Sequence, residues 1–275
     1  MKINKFFSAV FASFSMLTMT ALSGFAYSGT QTGDTLTDGT FSYELRDGSY
    51  TIVGCNVDAL VEEIPELRNG YAITAIDDKA LSNCANIKTL TIPDTVTEFS
   101  TEVFKGCDSL ETVTILADIT ELPERTFYSC PSLTTVNLPD YLTAIGEWAF
   151  YECTSLTAVT LPDTIETFGE LAFLECKNLT EFTIPKNLTT ISNGMFKDCE
   201  NLKTVTLHDD IKRIEHFAFR NCSNLREIIL PDNIEYVDGN AFDGCDALTI
   251  TYKGQEYFTS DGMKLSADVE ANNAA

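Results

Sequence analysis

Eight of the nine cysteines recur at a fixed interval, and thiols are the side chains whose spacing most suggests chemistry. Each lies 23 residues after the previous one: Cys84, Cys107, Cys130, Cys153, Cys176, Cys199, Cys222 and Cys245. A disulfide needs specific Cβ directions, and zinc sites usually combine ligands of mixed type, yet no histidine accompanies the column. Free cysteine otherwise behaves as a small buried apolar residue. We expect interior packing, with disulfides and a metal site as alternatives.

The sequence holds no set of residues typical of an enzyme. Its two histidines, His208 and His216, lie eight residues apart in one repeat, and no phosphate-binding glycine loop or nucleophile elbow is present. Carboxylates are so abundant, 41 Asp and Glu in all, that a chance pair indicates nothing. We therefore expect no catalytic residue, no cofactor and no enzymatic activity.

Aspartates recur at one turn position of the repeat, which gives one further candidate site. They are Asp94, Asp140, Asp163, Asp209 and Asp232. Aspartate is a favoured turn residue, and this explains the column without any ligand. The alternative is weak Ca²⁺ binding, although no compact oxygen-rich loop is present and we predict no metal ligands.

Apolar side chains form a possible recognition surface in two columns that lie 18 and 21 residues past each cysteine. The Ala and Phe positions beside these columns are expected in the core, so the two columns should face solvent. Five of their members fall on three successive repeats: Tyr128, Trp148, Tyr151, Leu171 and Leu174. Aromatic anchors on an otherwise acidic surface are typical of a protein-binding patch. Alternatively, these side chains only cover the edge of the core.

The elements that must position these columns follow from the same 23-residue period. Each unit has the pattern C-x-x-L-x-x-V-x-L-P-x-x-L-x-x-I-x-x-x-A-F. Its L-x-x-V-x-L part ends in alternation of period two, which predicts a short strand with one buried face, and the A-F-x-x-C part predicts a short helical or 3₁₀ corner. One unit cannot bury its own apolar residues, so stacked units must share a continuous core.

Runs such as IGEWAFYEC at residues 145–153 and LTAVTLP at 156–162 resemble the leucine-rich repeats of the BspA-like family of bacterial and protozoan surface proteins. The resemblance covers about residues 70–250, with Leu116 and His208 in place of a strand-ending proline. It implies an α/β repeat solenoid, a right-handed stack of eight 23-residue units with short parallel strands. It also implies a binding scaffold, with adhesion to matrix or plasma proteins as the expected role.

The ends of such a stack are exposed sheet edges and need caps. Alternating apolar residues around Gly48 and Gly254 predict small β-hairpins, one in an N-terminal cap at 41–69 and one in a C-terminal cap at 251–265. Cys55, 29 residues before Cys84 and out of register, belongs to the first cap. The solenoid occupies 70–250, between a flexible leader at 27–40 and a disordered tail at 266–275.

The N-terminus predicts export. Lys2 and Lys5 precede an apolar run, and small residues at Gly24 and Ala26 suggest a signal peptide, residues 1–26, cleaved after Ala26. A membrane anchor is the alternative. No second apolar run follows, so we expect no membrane insertion after cleavage and a secreted or cell-surface location.

The formal net charge of −23 repels nucleic acid and anionic lipid, which excludes both as expected partners. We predict a monomeric, exported, non-enzymatic binding protein that adheres to host or neighbouring-cell macromolecules through its solenoid surface. The alternative is an acidic structural or cation-binding solenoid with no specific protein ligand.

Overall fold

The 23-residue units form successive coils of a solenoid, as their period predicts. The computed structural model describes residues 35–274. The predicted signal peptide and most of the predicted leader therefore lie outside the described residues. Among residues 35–274, no helix is long and apolar enough to cross a bilayer.

Strands define most of the regular structure. The N-terminal cap contains β1 (Leu36–Thr37), β2 (Phe41–Arg46), β3 (Ser49–Cys55), β4 (Leu67–Arg68) and β5 (Tyr71–Ile76). The first half of the array contains β6 (Thr89–Ile92), β7 (Glu98–Phe99), β8 (Thr112–Ile115), β9 (Glu121–Leu122), β10 (Thr135–Asn137), β11 (Ala144–Ile145) and β12 (Thr167–Phe168). The second half contains β13 (Glu181–Thr183), β14 (Thr190–Ile191), β15 (Thr204–Thr206), β16 (Arg213–Ile214), β17 (Glu227–Ile229), β18 (Tyr236–Val237) and β19 (Thr249–Tyr252). The chain ends with β20 (Gln255–Phe258), a 3₁₀ turn at Thr259–Asp261 and the helix α1 (Gly262–Asn273).

Most coils contribute strands to two parallel ladders. In the first ladder β8 lies between β6 and β10, and Val113 pairs with Leu90 on one side and Val136 on the other. These three side chains are buried, as the period-two alternation predicts. The second ladder uses two-residue strands, such as β11 between β9 and β12. Equivalent residues of successive coils thus lie directly above one another.

The predicted strand of the fourth unit is wrong, because residues 157–161 form no strand. Val159 is only half-buried there, whereas the equivalent Val113 is buried. Two large rings, Phe168 and Phe182, pack edge-on at this level with centroids 6.4 Å apart. Phe182 occupies the column that holds Val113 and Val159, and we attribute the interruption of the ladder to its greater bulk.

The core is a set of side-chain columns that run along the stack. The array cysteines and the phenylalanines three residues before them are buried, at most a few per cent exposed. The phenylalanine rings stack on one another, with centroids 5.0 Å apart for Phe150 and Phe173 and 5.8 Å apart for Phe173 and Phe196. These spacings are close to the separation of neighbouring strands, so every coil buries one ring against the next. Each buried ring contributes about 1.5–3 kcal/mol relative to an exposed one.

The predicted helical corners are wrong. The residue 18 positions past each cysteine from Cys84 to Cys199, such as Trp148 with φ 52°, and the residue just before each array cysteine, such as Glu152 with φ 57°, adopt the left-handed conformation. A helix cannot continue through such residues, because its φ is negative throughout. The array is therefore a β-solenoid rather than an α/β repeat. Among residues 35–274, α1 is the single α-helix.

The N-terminal cap begins earlier than the sequence indicates. The sequence predicts a flexible leader up to residue 40, but β1 pairs with β2. β2 and β3 form a hairpin, and β3 pairs in parallel with β5, which also pairs with β7 of the array. The loop after β3 then covers the edge of β6, where the amide of Thr91 donates to the carbonyl of Glu62 at 2.8 Å. The edge strand β6 is therefore hydrogen-bonded to the N-terminal cap.

The C-terminal cap is a hairpin of β19 and β20 followed by α1. The prediction of a disordered tail from residue 266 is wrong as far as Asn273. Leu265 and Val269 are spaced one helical turn apart and are both fully buried. The side-chain amide of Asn273 donates to the carbonyls of Ile234 and Glu235, each at 3.0 Å. A helix with only two buried apolar residues is thus fixed to the end of the stack.

Candidate protein-binding surface

The corners of the solenoid are built by backbone hydrogen bonds that run from one coil to the next. The amides of Trp148 and Phe150 donate to the carbonyls of Glu170 and Ala172 in the following coil, at 3.1 and 2.8 Å. Corners before and after repeat this arrangement. Between the left-handed residues 148 and 152 the chain turns so that Phe150 enters the core while Trp148 and Tyr151 remain half-buried at the surface.

The structure brings all five predicted patch residues together. They line one cavity of about 320 Å³, and Arg125 and Lys197 complete its rim. We call this set the corner patch: Tyr128, Trp148, Tyr151, Leu171, Leu174, Arg125 and Lys197. Its apolar members are half-buried, so they cover the core edge and also present a surface to solvent.

Contacts between coils fix the shape of the corner patch. The rings of Tyr128 and Tyr151 are stacked at a tilt of 34°, with centroids 4.5 Å apart. The guanidinium carbon of Arg125 lies 4.1 Å above the ring of Trp148, a cation–π contact. The side chain of Leu171 lies against Gly194 of the following coil, where a Cβ atom would collide with it. A side chain at position 194 would therefore displace Leu171 from this position.

The charges around the patch are mostly paired. The hydroxyl of Tyr151 donates to Glu175 Oε1 at 3.4 Å. Burial raises the pKa of Tyr151 to about 12, and the negative charge of Glu175 contributes to the increase. Tyr151 therefore remains a neutral hydrogen-bond donor across the physiological pH range.

Glu102 forms ion pairs with basic side chains at the end of the corner patch where Arg125 lies. Its carboxylate accepts a hydrogen bond from Lys105 Nζ at 2.9 Å and lies 3.6 Å from Arg125. Burial opposes ionisation of Glu102, but the hydrogen bond from Lys105 and the nearby positive charges outweigh it and lower the pKa of the carboxyl. The carboxylates of Glu102 and of Glu124, which pairs more closely with Arg125, thus hold the guanidinium above Trp148.

The cysteine column packs in the interior, as predicted, and all its thiols are free. The thiol of each cysteine from Cys107 onward also donates to the carbonyl 26 residues earlier, as Cys130 does to Phe104 at 3.0 Å. Burial raises the pKa of the thiols from Cys107 to Cys222, for Cys107 to about 12. They are therefore neutral, and neither nucleophiles nor ready metal ligands.

The other candidate positions do not converge on a site. Asp163 is paired with Lys186 of the following coil, so its charge is already balanced. His208 Nε2 lies 3.0 Å from the carbonyl of Pro185, whereas His216 Nδ1 lies 2.9 Å from Asp238 Oδ1. Within residues 35–274, no three His, Cys, Asp or Glu side chains are grouped so as to hold a metal ion.

Sequence reasoning missed the two basic members of the corner patch. Arg125 lies 18 residues past Cys107 and Lys197 lies 21 residues past Cys176, so both belong to the columns already identified. The predicted patch contains only the apolar members of these columns, so it leaves out the basic rim.

Comparisons with known proteins agree with this architecture. The family profile of the BspA type leucine rich repeat region matches in six copies, over residues 74–203 and 143–260. The crystal structure of a T. pallidum leucine-rich repeat protein, TpLRR, is similar with a TM-score of 0.61 at 24% identity, covering 70% of this chain and 91% of that one. This likeness concerns the fold alone.

Two further structures are similar at lower scores. A leucine-rich repeat protein of Bacteroides ovatus is 16% identical with a TM-score of 0.49, over 80% of this chain and 89% of that one. A leucine-rich cell surface protein of Faecalibacterium prausnitzii is 20% identical with a TM-score of 0.35, over 82% and 97%. No curated protein sequence matches the chain. Since the family profile spans residues 74–260, well over half of the sequence, the protein belongs to the BspA-type leucine-rich repeat family.

Proposed function

We propose that this protein is an exported binding protein that recognises a protein partner through the corner patch. The observation that carries the proposal is the convergence of five apolar side chains from three coils around one cavity. Half-buried aromatic side chains around a shallow cavity are typical of the few residues that dominate binding energy in protein interfaces. Trp148 and Tyr151 are the two anchors of this kind.

The basic side chains at the rim of the corner patch indicate which kind of partner could bind there. The chain carries a formal charge of −23, yet Arg125 and Lys197 stand at opposite ends of the cavity. A partner that places an apolar group in the cavity and a carboxylate beside it would complement both the apolar lining and the two basic side chains. Such a contact combines a desolvated apolar centre with a charged rim, the usual anatomy of a specific interface.

The proposed setting is the cell surface or the surrounding medium. The predicted signal peptide supports export, and the family resemblance supports a role in adhesion to host or neighbouring-cell macromolecules. A surface rich in carboxylates also keeps such an exported protein soluble.

Binding to a panel of matrix and plasma proteins tests this function. The purified protein is passed over each immobilised protein at low and at high salt, with Trp148→Ala alongside. A contact with apolar anchors should persist at high salt and should weaken at least about tenfold in Trp148→Ala, because hot-spot side chains contribute about 2 kcal/mol or more.

Tyr141→Ala is the matched control, because Tyr141 is an aromatic residue that is 68% exposed and lies outside the corner patch. It should leave the affinity unchanged. Binding that is lost at high salt, with an affinity that Trp148→Ala does not change, would instead indicate non-specific contact with an acidic solenoid. Unfolding of Trp148→Ala, measured by circular dichroism, would show that the ring is a core element and would contradict its role as an anchor.

A further inference from the structure

The first ladder is interrupted a second time, between β15 and β17. β15 pairs with β13 and β17 pairs with β19, but β15 and β17 do not pair with each other. Within the described part of the chain, no backbone hydrogen bond joins residues 203–207 to residues 226–230. The same two coils are linked just before this stretch, where the amide of Asn224 donates to the carbonyl of Glu200 at 3.2 Å. Each strand therefore turns an unpaired edge toward the other.

A cavity lies between these two edges. Its volume is about 610 Å³, against about 320 Å³ at the corner patch. Thr204 and Thr206 line it from β15, and toward the ends of the strands Leu207 and Ile229 give it an apolar lining. Ile229 is 63% exposed, so this lining is open to solvent. An unpaired strand edge that faces an open cavity can take hydrogen bonds from the backbone of another chain.

Two basic side chains line the same cavity, Lys203 and Arg226. They occupy the same position in successive coils, four residues past Cys199 and Cys222, and both are exposed. Among residues 35–274, they are the two Lys or Arg residues with neither an ion pair nor a cation–π contact. Like charges in neighbouring coils repel each other, and an anion bound beside both would relieve this repulsion.

We propose that the opening between β15 and β17 binds an extended acidic segment of a partner protein, whose backbone adds to the unpaired strand edges. Carboxylates of the segment lie beside Lys203 and Arg226, and its apolar side chains lie against Leu207 and Ile229. The unpaired edges favour a peptide over other anionic ligands, because an extended peptide presents donors and acceptors at the spacing of a strand.

The charge of the cavity lining supports an acidic ligand on a protein that is acidic as a whole. The lining contains two basic residues and one acidic residue, Glu227, whereas the formal charge of the chain is −23. The cavity shares no lining residue with the corner patch. This site is therefore a second contact surface, and it does not depend on the function proposed for the corner patch.

Binding of a fluorescent decapeptide of alternating valine and glutamate to the purified protein tests the proposal. When this peptide is extended, its apolar side chains lie on one face and its carboxylates on the other. Fluorescence anisotropy is measured at about 0.15 M salt, where charges more than about 8 Å away are largely screened. We expect saturable binding that Arg226→Glu weakens at least about tenfold, because the reversal places like charges in contact. Absence of binding, or equal affinity in Arg226→Glu, would overturn the proposal.

Two variants serve as controls for this measurement. Lys253→Glu makes the same change of charge at an exposed turn outside the cavity, and it should bind the peptide as the unaltered protein does. Trp148→Ala should also bind the peptide normally, since Trp148 belongs to the corner patch. Loss of peptide binding in Trp148→Ala would assign the peptide to the corner patch and contradict the site between β15 and β17.

The role of the peptide backbone is tested separately from that of charge. The same peptide with every valine N-methylated has lost the donors of one edge and should bind at least about tenfold more weakly. Equal affinity of the two peptides would mean that the cavity binds an anion only, and would overturn strand addition. Amide hydrogen exchange gives an independent measurement. The unmodified peptide should slow exchange in residues 203–207 and 226–230 and leave β6 and β8 unchanged, whereas unaltered exchange in both stretches would place the peptide elsewhere.

Discussion

From Cys107 onward, each buried thiol of the array joins its own coil to the coil before it. The thiol of Cys153 donates to the carbonyl of Phe127 at 3.2 Å, and that of Cys176 donates to Phe150 at 3.1 Å. A thiol is a weak donor, but the position is dry and the bond recurs along the stack. Cysteine suits the column because its sulfur both fills apolar space and donates to a backbone carbonyl.

Replacement of Cys153 separates these two contributions. Cys153→Ala loses both the sulfur volume and the hydrogen bond, and we expect the free energy of unfolding to fall by about 1–2 kcal/mol. Cys153→Val restores volume without a donor and should recover only part of the loss. Urea denaturation followed by circular dichroism measures both variants. Full stability in Cys153→Val would show that the bond to Phe127 contributes nothing.

The corners show how far local sequence patterns can predict an element. The spacing of Ala149, Phe150 and Cys153 correctly indicates which residues are buried, and this is why the corner patch could be identified. The same spacing fits both a helical turn and the observed corner. The choice between them depends on amide-to-carbonyl bonds to the next coil, which a local pattern does not contain. Local patterns thus predict burial better than backbone conformation.

The C-terminal helix was missed for a related reason. Between residues 262 and 273, Leu265 and Val269 are the only fully buried apolar side chains within a largely polar segment. Such a segment has too little apolar surface to indicate order by itself. It becomes ordered because the end of the stack offers exposed backbone carbonyls and an apolar surface, both of which are tertiary features.

Two substitutions in α1 test whether this helix is a cap. Leu265→Ala should lower the free energy of unfolding by about 2–5 kcal/mol, because it leaves a cavity at a fully buried position. Met263→Ala in the same helix should change it by less than about 0.5 kcal/mol, since Met263 is 72% exposed. Chemical denaturation measures both. Equal effects would mean that α1 does not pack on the solenoid.

At the scale of the whole molecule, the solenoid consists of similar interfaces between successive coils. Each coil contacts mainly the coils before and after it, so stability is approximately a sum of coil and interface contributions. The period of 23 residues predicted this arrangement, because seven equal intervals leave no room for an insertion within the array. The closure at each end could not be predicted in the same way, since the caps depart from the repeat.

Deletions of two lengths distinguish a stack of equivalent coils from an ordinary globular core. Removal of residues 200–222 takes out one whole unit and rejoins Cys199 to Ser223, which restores the sequence period. We expect this variant to fold with cooperative thermal unfolding. Removal of residues 200–209 puts every later column out of register and should abolish folding. Circular dichroism compares them, and equal loss of structure would contradict the solenoid interpretation.

One column of the corner has seven different residues in the same backbone conformation. Their φ values all lie between 52° and 58°: Lys79, Glu102, Arg125, Trp148, Leu171, Gly194 and Phe217. Where the corners meet, this backbone is held by bonds to the next coil, such as that from the amide of Leu171 to the carbonyl of Asn193. The side chain is therefore largely independent of what maintains the fold. Mutation can place a cationic, anionic or aromatic side chain, or none at all, at these corner positions. New binding specificities can therefore evolve on this protein without a new scaffold.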